Sequence, residues 1–175
     1  MKALFTFSLL AALFLFAGCG QSTDPAPAVA ISTPLPDAGK FLLADEPAGA
    51  QGIIDFRKQA QDNDEVVIVG RIGGDKNPWV DGRAAFMIVD TSLKPCNEIE
   101  GDMCPKPWDY CCETPSLPRA KVMIKLVDDQ GQTVPTGAKQ LLTVKELDTV
   151  VVRGKAKRDE AGNITVLASG LFIRK

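Results

Sequence analysis

Residues 149–173 read TVVVRGKAKRDEAGNITVLASGLFI. Two apolar, β-branched runs flank the turn-forming cluster Asp159-Glu160-Ala161-Gly162-Asn163, so the stretch predicts a β-hairpin of Thr149–Lys157 and Ile164–Ile173. In the first arm Arg153, Lys155 and Lys157 alternate with Val152, Gly154 and Ala156. A period of two puts the cations on one face and leaves the other for a core. Gly154 falls mid-strand, where glycine marks a bulge or a tight bend.

The same alternation recurs upstream. Glu65–Ile72 (EVVIVGRI), Ala84–Asp90 (AAFMIVD) and Ala120–Asp128 (AKVMIKLVD) each read as a strand ended by turn residues. Before them, Pro47–Asp62 predicts a short helix, with Ile53, Ile54, Phe56 and Ala60 as its apolar side, Asp45 as its cap and Pro47 in its first turn. Glycines inside the first and fourth strands, Gly70 and Gly154, point to a small curved barrel. The opening strand with its Gly73-Gly74 exit and the closing hairpin resemble the OB-fold, a five-stranded Greek-key barrel, over residues 64–175. The expected class is therefore mainly all-β: a five-stranded OB-like barrel with a short N-terminal helix and a disulfide-stapled loop. An immunoglobulin-like sandwich would want seven strands.

The N-terminus reads as an address. Lys2 precedes an almost wholly apolar run from Ala3 to Ala17, shorter than a membrane span of about 20 residues and suited to a signal-peptide core. It ends Phe16-Ala17-Gly18-Cys19. Small residues before a cysteine resemble the lipobox of bacterial lipoproteins, with Phe16 where Leu is commonest. The resemblance implies cleavage after residue 18 and acylation of Cys19, with anchoring by several acyl chains. Gly20 resembles the pattern sent to the outer membrane of diderm bacteria. The implied organisation is a signal peptide at 1–18, a lipidated N-terminus and Pro-rich tether at 19–44, and one domain at 45–175. The segment GQSTDPAPAVAISTPLPD (20–37) holds four prolines and no aromatic, so it has little with which to bury a core. The whole arrangement is similar to envelope lipoproteins that carry an OB-like domain.

Composition narrows the chemistry. The chain of 175 residues has 20 Lys+Arg against 22 Asp+Glu, a net charge of -2, which disfavours a dedicated nucleic-acid binder. It has no histidine, which removes Ser-His-Asp and Cys-His nucleophilic machinery and imidazole metal sites. No cofactor motif is present; Gly70–Gly74 (GRIGG) lacks phosphate-loop spacing and reads as a turn.

Residues 95–115 carry Cys96, Cys104, Cys111 and Cys112. An even count in an exported chain reads as two disulfides. Neighbouring Cα atoms lie about 3.8 Å apart, below the usual disulfide range of roughly 4.4–6.8 Å, so Cys111 and Cys112 should each reach back to Cys96 or Cys104, in either order. The competing readings are a thiolate site for a soft ion such as Cu(I), with Met103 nearby, and a redox dithiol. The spacing C-x7-C-x6-C-C matches neither paired zinc motifs nor C-x-x-C. Glu98, Glu100, Asp102, Asp109 and Glu113 in this loop read as a solvated acidic surface. Trp108 and Tyr110 flank Asp109: packed down they anchor the loop, exposed they form a recognition platform.

Lys121, Met123 and Lys125 alternate with Val122, Ile124 and Leu126, as Arg153 and Lys155 do in the hairpin. These rows are either a solvated outer face or a patch for an anionic ligand. Candidate ligand-binding residues are thus Lys121, Lys125, Arg153, Lys155, Trp108 and Tyr110. The expected function is a lipid-anchored, non-enzymatic envelope protein, held to the membrane by its anchor, whose barrel binds a protein, glycan or other envelope ligand. The alternative is a metal-binding or thiol-redox protein using Cys96, Cys104, Cys111 and Cys112.

Overall fold

The computed structural model describes residues 37–175. The apolar N-terminal run, Cys19 and most of the Pro-rich segment lie outside the described residues.

Alternating apolar side chains build a closed barrel from β2 (Glu65–Ile72), β3 (Ala85–Val89), β4 (Lys121–Leu126), β5 (Thr149–Arg158) and β6 (Ile164–Arg174). Neighbours run in the order β2-β3-β4-β6-β5, and β5 returns to β2. All barrel pairs are antiparallel except β4–β6, which is parallel. This is the OB-like strand order expected from the hairpin and the opening strand. The interior is filled by residues an even number of places apart on each strand, such as Ile68 and Ile72, Phe86 and Ile88, Val122 and Ile124, Val150 and Val152, Val166 and Ala168. Leu141 and Leu142 of α3 (Ala138–Leu142) join the same core.

Gly154 does mark a bulge. The β5–β6 register shifts between Arg153 and Gly154, and a Cβ on Gly154 would lie 2.2 Å from the Leu167 carbonyl oxygen. Only a residue without a side chain lets the two backbones approach this closely.

The N-terminal helix is shorter than expected. It spans Ile53–Gln59 (α1), with Gly52 at its N-cap and no side-chain cap from its own segment, so Asp45 and Pro47 do not start it. Gly49 sits at φ 79, which ends any helical path through residues 47–50, and Gln51–Gly52 (β1) instead pairs in parallel with Ile68 and Val69 of β2. The cap comes from β3's exit: Asp90 Oδ2 accepts the Ile54 N–H at 2.9 Å. Ile53 and Phe56 are buried in the barrel core, so the helix is held by packing more than by propensity.

A second, smaller apolar cluster joins Val89, Leu93, Tyr110 and Ala120, with Leu117 of α2 (Leu117–Ala120) packed on it. It forms the foot of the cysteine loop. Among the described residues no helix is long and apolar enough to cross a membrane.

Candidate functional site: the cysteine loop

Backbone hydrogen bonds fold residues 95–115 back on themselves. Cys96 N–H donates to Asp109 O at 2.9 Å and Asn97 N–H to Pro107 O at 3.2 Å, which sets the limb of Cys96 beside the limb leading to Cys111. Single 3-10 turns carry Cys96–Glu98 and Cys111–Glu113. Asp102 Oδ1 accepts the Cys104 N–H at 3.0 Å and fixes the turn between them.

Three contacts dock the loop on the barrel. Arg71, outward on β2, pairs with Glu98 at 2.7 Å. Gly74 N–H donates to Trp108 O at 3.4 Å, and Lys106 Nζ donates to Lys76 O at 3.1 Å. Tyr110 is fully buried beneath the loop. It is an anchor, which corrects its candidacy as a binding-platform residue: ring burial against Val89 and Leu93 outweighs exposure of a polar tip. Among the described residues the Tyr110 hydroxyl has no hydrogen-bond partner, and burial pushes its pKa up to about 12 while the nearby Arg71 pulls the other way. Trp108 is half-buried, with its indole N–H on Lys76 O at 3.4 Å.

The folding-back gathers the thiols. Cys96 Sγ and Cys111 Sγ lie 3.3 Å apart, and Cys96, Cys104 and Cys111 have all three sulfurs within 4.8 Å of one another. Asp102, Cys111 and Cys112 form a second such group that shares Cys111. All four are thiols, and no pair is at disulfide bonding distance. Cys96 is buried, Cys104 half-buried, and Cys111 and Cys112 exposed.

Electrostatically the cluster is one-sided. Burial, then the hydrogen bond to Cys111, pushes the Cys96 thiol well above the ordinary range. The Cys112 thiol is pushed up by its hydrogen bond to Cys111 and by that neighbour's charge, with Asp102 adding to it. Asp102 Oδ2 is buried with no hydrogen-bond partner among the described residues. Met103 is 93% exposed and stands apart from the converging sulfurs.

Cys111 also lines a cleft of about 470 Å³ between the loop and residues 74–77, together with Asp75, Lys76, Asp109, Thr114 and Lys121. Lys121, half-buried, pairs with Asp75 at 2.9 Å. The other basic candidates lie elsewhere. Lys125 and Lys155 are both register partners of Leu167, and Lys155 is also the partner of Glu65, so the four form one outer row. Lys155 reaches Glu65 at 3.3 Å. Arg153 is exposed one alternation further on, opposite Val67. Lys121 and Lys125 are four residues apart on a strand, about 13 Å, so the structure does not gather the four cations into one patch.

The five acids of the loop, expected from the sequence to be a solvated surface, do not all behave alike. Glu98 instead pairs with Arg71, Asp109 Oδ1 accepts the Tyr110 N–H at 2.8 Å, and Asp102 turns among the cysteines. The signal available was its position two residues before Cys104. No family model and no curated protein matches the chain.

Proposed function

We propose that the protein is a lipid-anchored, non-enzymatic envelope protein whose OB-like barrel takes its ligand in the cleft between residues 74–77 and the cysteine loop. The observation that carries this reading is the cleft itself: its volume falls in the range of ligand sites, and Asp75, Asp109, Lys76, Lys121 and the Cys111 thiol are among its lining residues. The anchor at Cys19 and the Pro-rich segment would hold the barrel within the envelope, where a protein or a glycan is the expected ligand. Two substitutions test it. Cys19→Ser should move the protein from the membrane fraction to the soluble exported fraction; retention after a carbonate wash contradicts the anchor. A photo-crosslinker at Lys76 should capture an envelope component that one at Glu160, on the β5–β6 turn, does not; identical adducts from both positions contradict the cleft.

A second reading, a metal-binding or thiol-redox protein, is favoured by one specific observation: the meeting of three sulfurs from well-separated positions of the loop.

A further inference from the structure

We propose that Cys96, Cys104 and Cys111 form a three-thiolate site for a soft monovalent cation, Cu(I), with Asp102 as the residue that positions Cys104. This inference rests on the second reading above. Metal–sulfur bonds of about 2.3 Å place the sulfurs of a three-coordinate ion about 4 Å apart. Cys96 and Cys111 Sγ stand 3.3 Å apart and all three sulfurs lie within 4.8 Å of one another, so small side-chain shifts reach that geometry. A disulfide would need Cys96 and Cys111 to close from 3.3 Å to about 2.05 Å.

Charge leads to the same place. Converging thiols and a buried carboxylate oxygen with no donor among the described residues make a pocket whose missing partner is positive. Thiolate donors select soft ions, and a bound metal deprotonates its thiols outright. Binding breaks three S–H bonds, sends three protons to solvent and forms three S–Cu bonds; no electron is transferred. The donor number argues for Cu(I) over Zn(II). Structural zinc takes four ligands, and Cys112 belongs to the other group, sharing only Cys111 with the triad. Asp102 Oδ1, bound to the Cys104 N–H, supplies the outer support that ligand residues commonly have. Cys111, exposed at the cleft wall, gives the ion its way in.

The test uses the full exported chain carrying Cys19→Ser, purified without oxygen and titrated with Cu(I) held by bathocuproine disulfonate. The expected result is transfer of one Cu(I) per chain, with Cys96, Cys104 and Cys111 protected from iodoacetamide and Cys112 still alkylated. Cys104→Ser should weaken retention by at least about tenfold, and Cys112→Ser by less than about threefold. Circular dichroism of each variant separates loss of the site from loss of the fold. If Cys104→Ser unfolds, protection mapping on the unsubstituted cysteines decides. Free thiols with no copper transfer, equal loss from Cys112→Ser, or uptake of Zn(II) alone would overturn the site while leaving a thiol function standing. A Cys96–Cys111 disulfide in peptides from the native envelope would overturn the metal reading as a whole in favour of staples.

Discussion

Asp90 and Ile54, 36 residues apart, are joined at 2.9 Å by the bond from the Ile54 N–H to Asp90 Oδ2. The other carboxylate oxygen takes the Ser92 N–H at 3.0 Å and the Ser92 hydroxyl at 2.7 Å. One side chain thus caps α1 and closes the turn after β3. Burial pushes the Asp90 carboxyl up, but the hydrogen bonds outweigh it and hold the pKa below the ordinary carboxylate value. A depressed folded-state pKa gives stability that is present above the unfolded value near 4 and lost as pH falls through the folded one. Asp90→Asn should therefore cost about 1–3 kcal/mol at pH 7. Urea unfolding at pH 7 and at pH 3 should show the gap between variant and wild type shrinking in acid. A gap that does not depend on pH would contradict the charged cap.

The bulge offers a sharper steric test. A Cβ on Gly154 would meet backbone on two sides, Leu167 O at 2.2 Å and Ala168 Cα at 2.8 Å, and neither can swing away. Gly154→Ala should destabilise by about 1–3 kcal/mol, as overpacking does. Gly137 stands in open space at the head of α3, which has no side-chain cap. Gly137→Ser should hold stability or raise it by a few tenths of a kcal/mol. Thermal melts of the two variants side by side check the contrast.

What was legible follows the range of the forces involved. The five barrel strands, their hairpin and the Gly154 bulge rest on period-two alternation and on turn residues a few positions away, so the chain alone displayed them. The helix start was misread because its cap, Asp90, arrives from another strand, while the local candidates Asp45 and Pro47 merely look like caps. Short α2 and α3 carry too few turns for a periodic signal and form where tertiary packing stabilises them. The cysteine loop was legible as a group of four, while the two disulfides expected of it are not formed at bonding distance. Which sulfurs meet was not legible, because docking depends on Arg71–Glu98 and Gly74–Trp108, contacts that span tens of residues.

The Tyr110 hydroxyl leads to a counterintuitive expectation. It is buried with no partner, an arrangement that costs about 1–3 kcal/mol relative to a paired group. The ring, by contrast, fills the foot of the loop against Val89 and Leu93. Tyr110→Phe should be neutral or stabilising by up to about 1 kcal/mol, whereas Tyr110→Ala should cost about 3–5 kcal/mol by emptying the cluster. Denaturant midpoints for the two variants give the comparison. Loss of stability in the phenylalanine variant would mean that the hydroxyl has a partner in solution.

The outer basic row supplies the last test, because it separates a ligand surface from a solvated one. Lys155 and Glu65 face each other across β5 and β2 at 3.3 Å, with both side chains more than half exposed. Such pairs contribute about 0.2–1 kcal/mol, and like charges placed directly opposite are destabilising by a similar amount. Exchanging the two, Glu65→Lys with Lys155→Glu, should keep stability within about 0.5 kcal/mol of wild type. Arg153→Glu with Lys155→Glu should lower it by less than about 1 kcal/mol. The row sits at the Glu65 end of β2, about 20 Å along the strand from Arg71, which touches the cysteine loop. The charge-reversed protein should therefore capture the same component from the Lys76 crosslinker as the unaltered chain. Abolished capture in a variant that melts normally would move the ligand from the loop to the barrel face and make Lys125, Arg153 and Lys155 its binding residues.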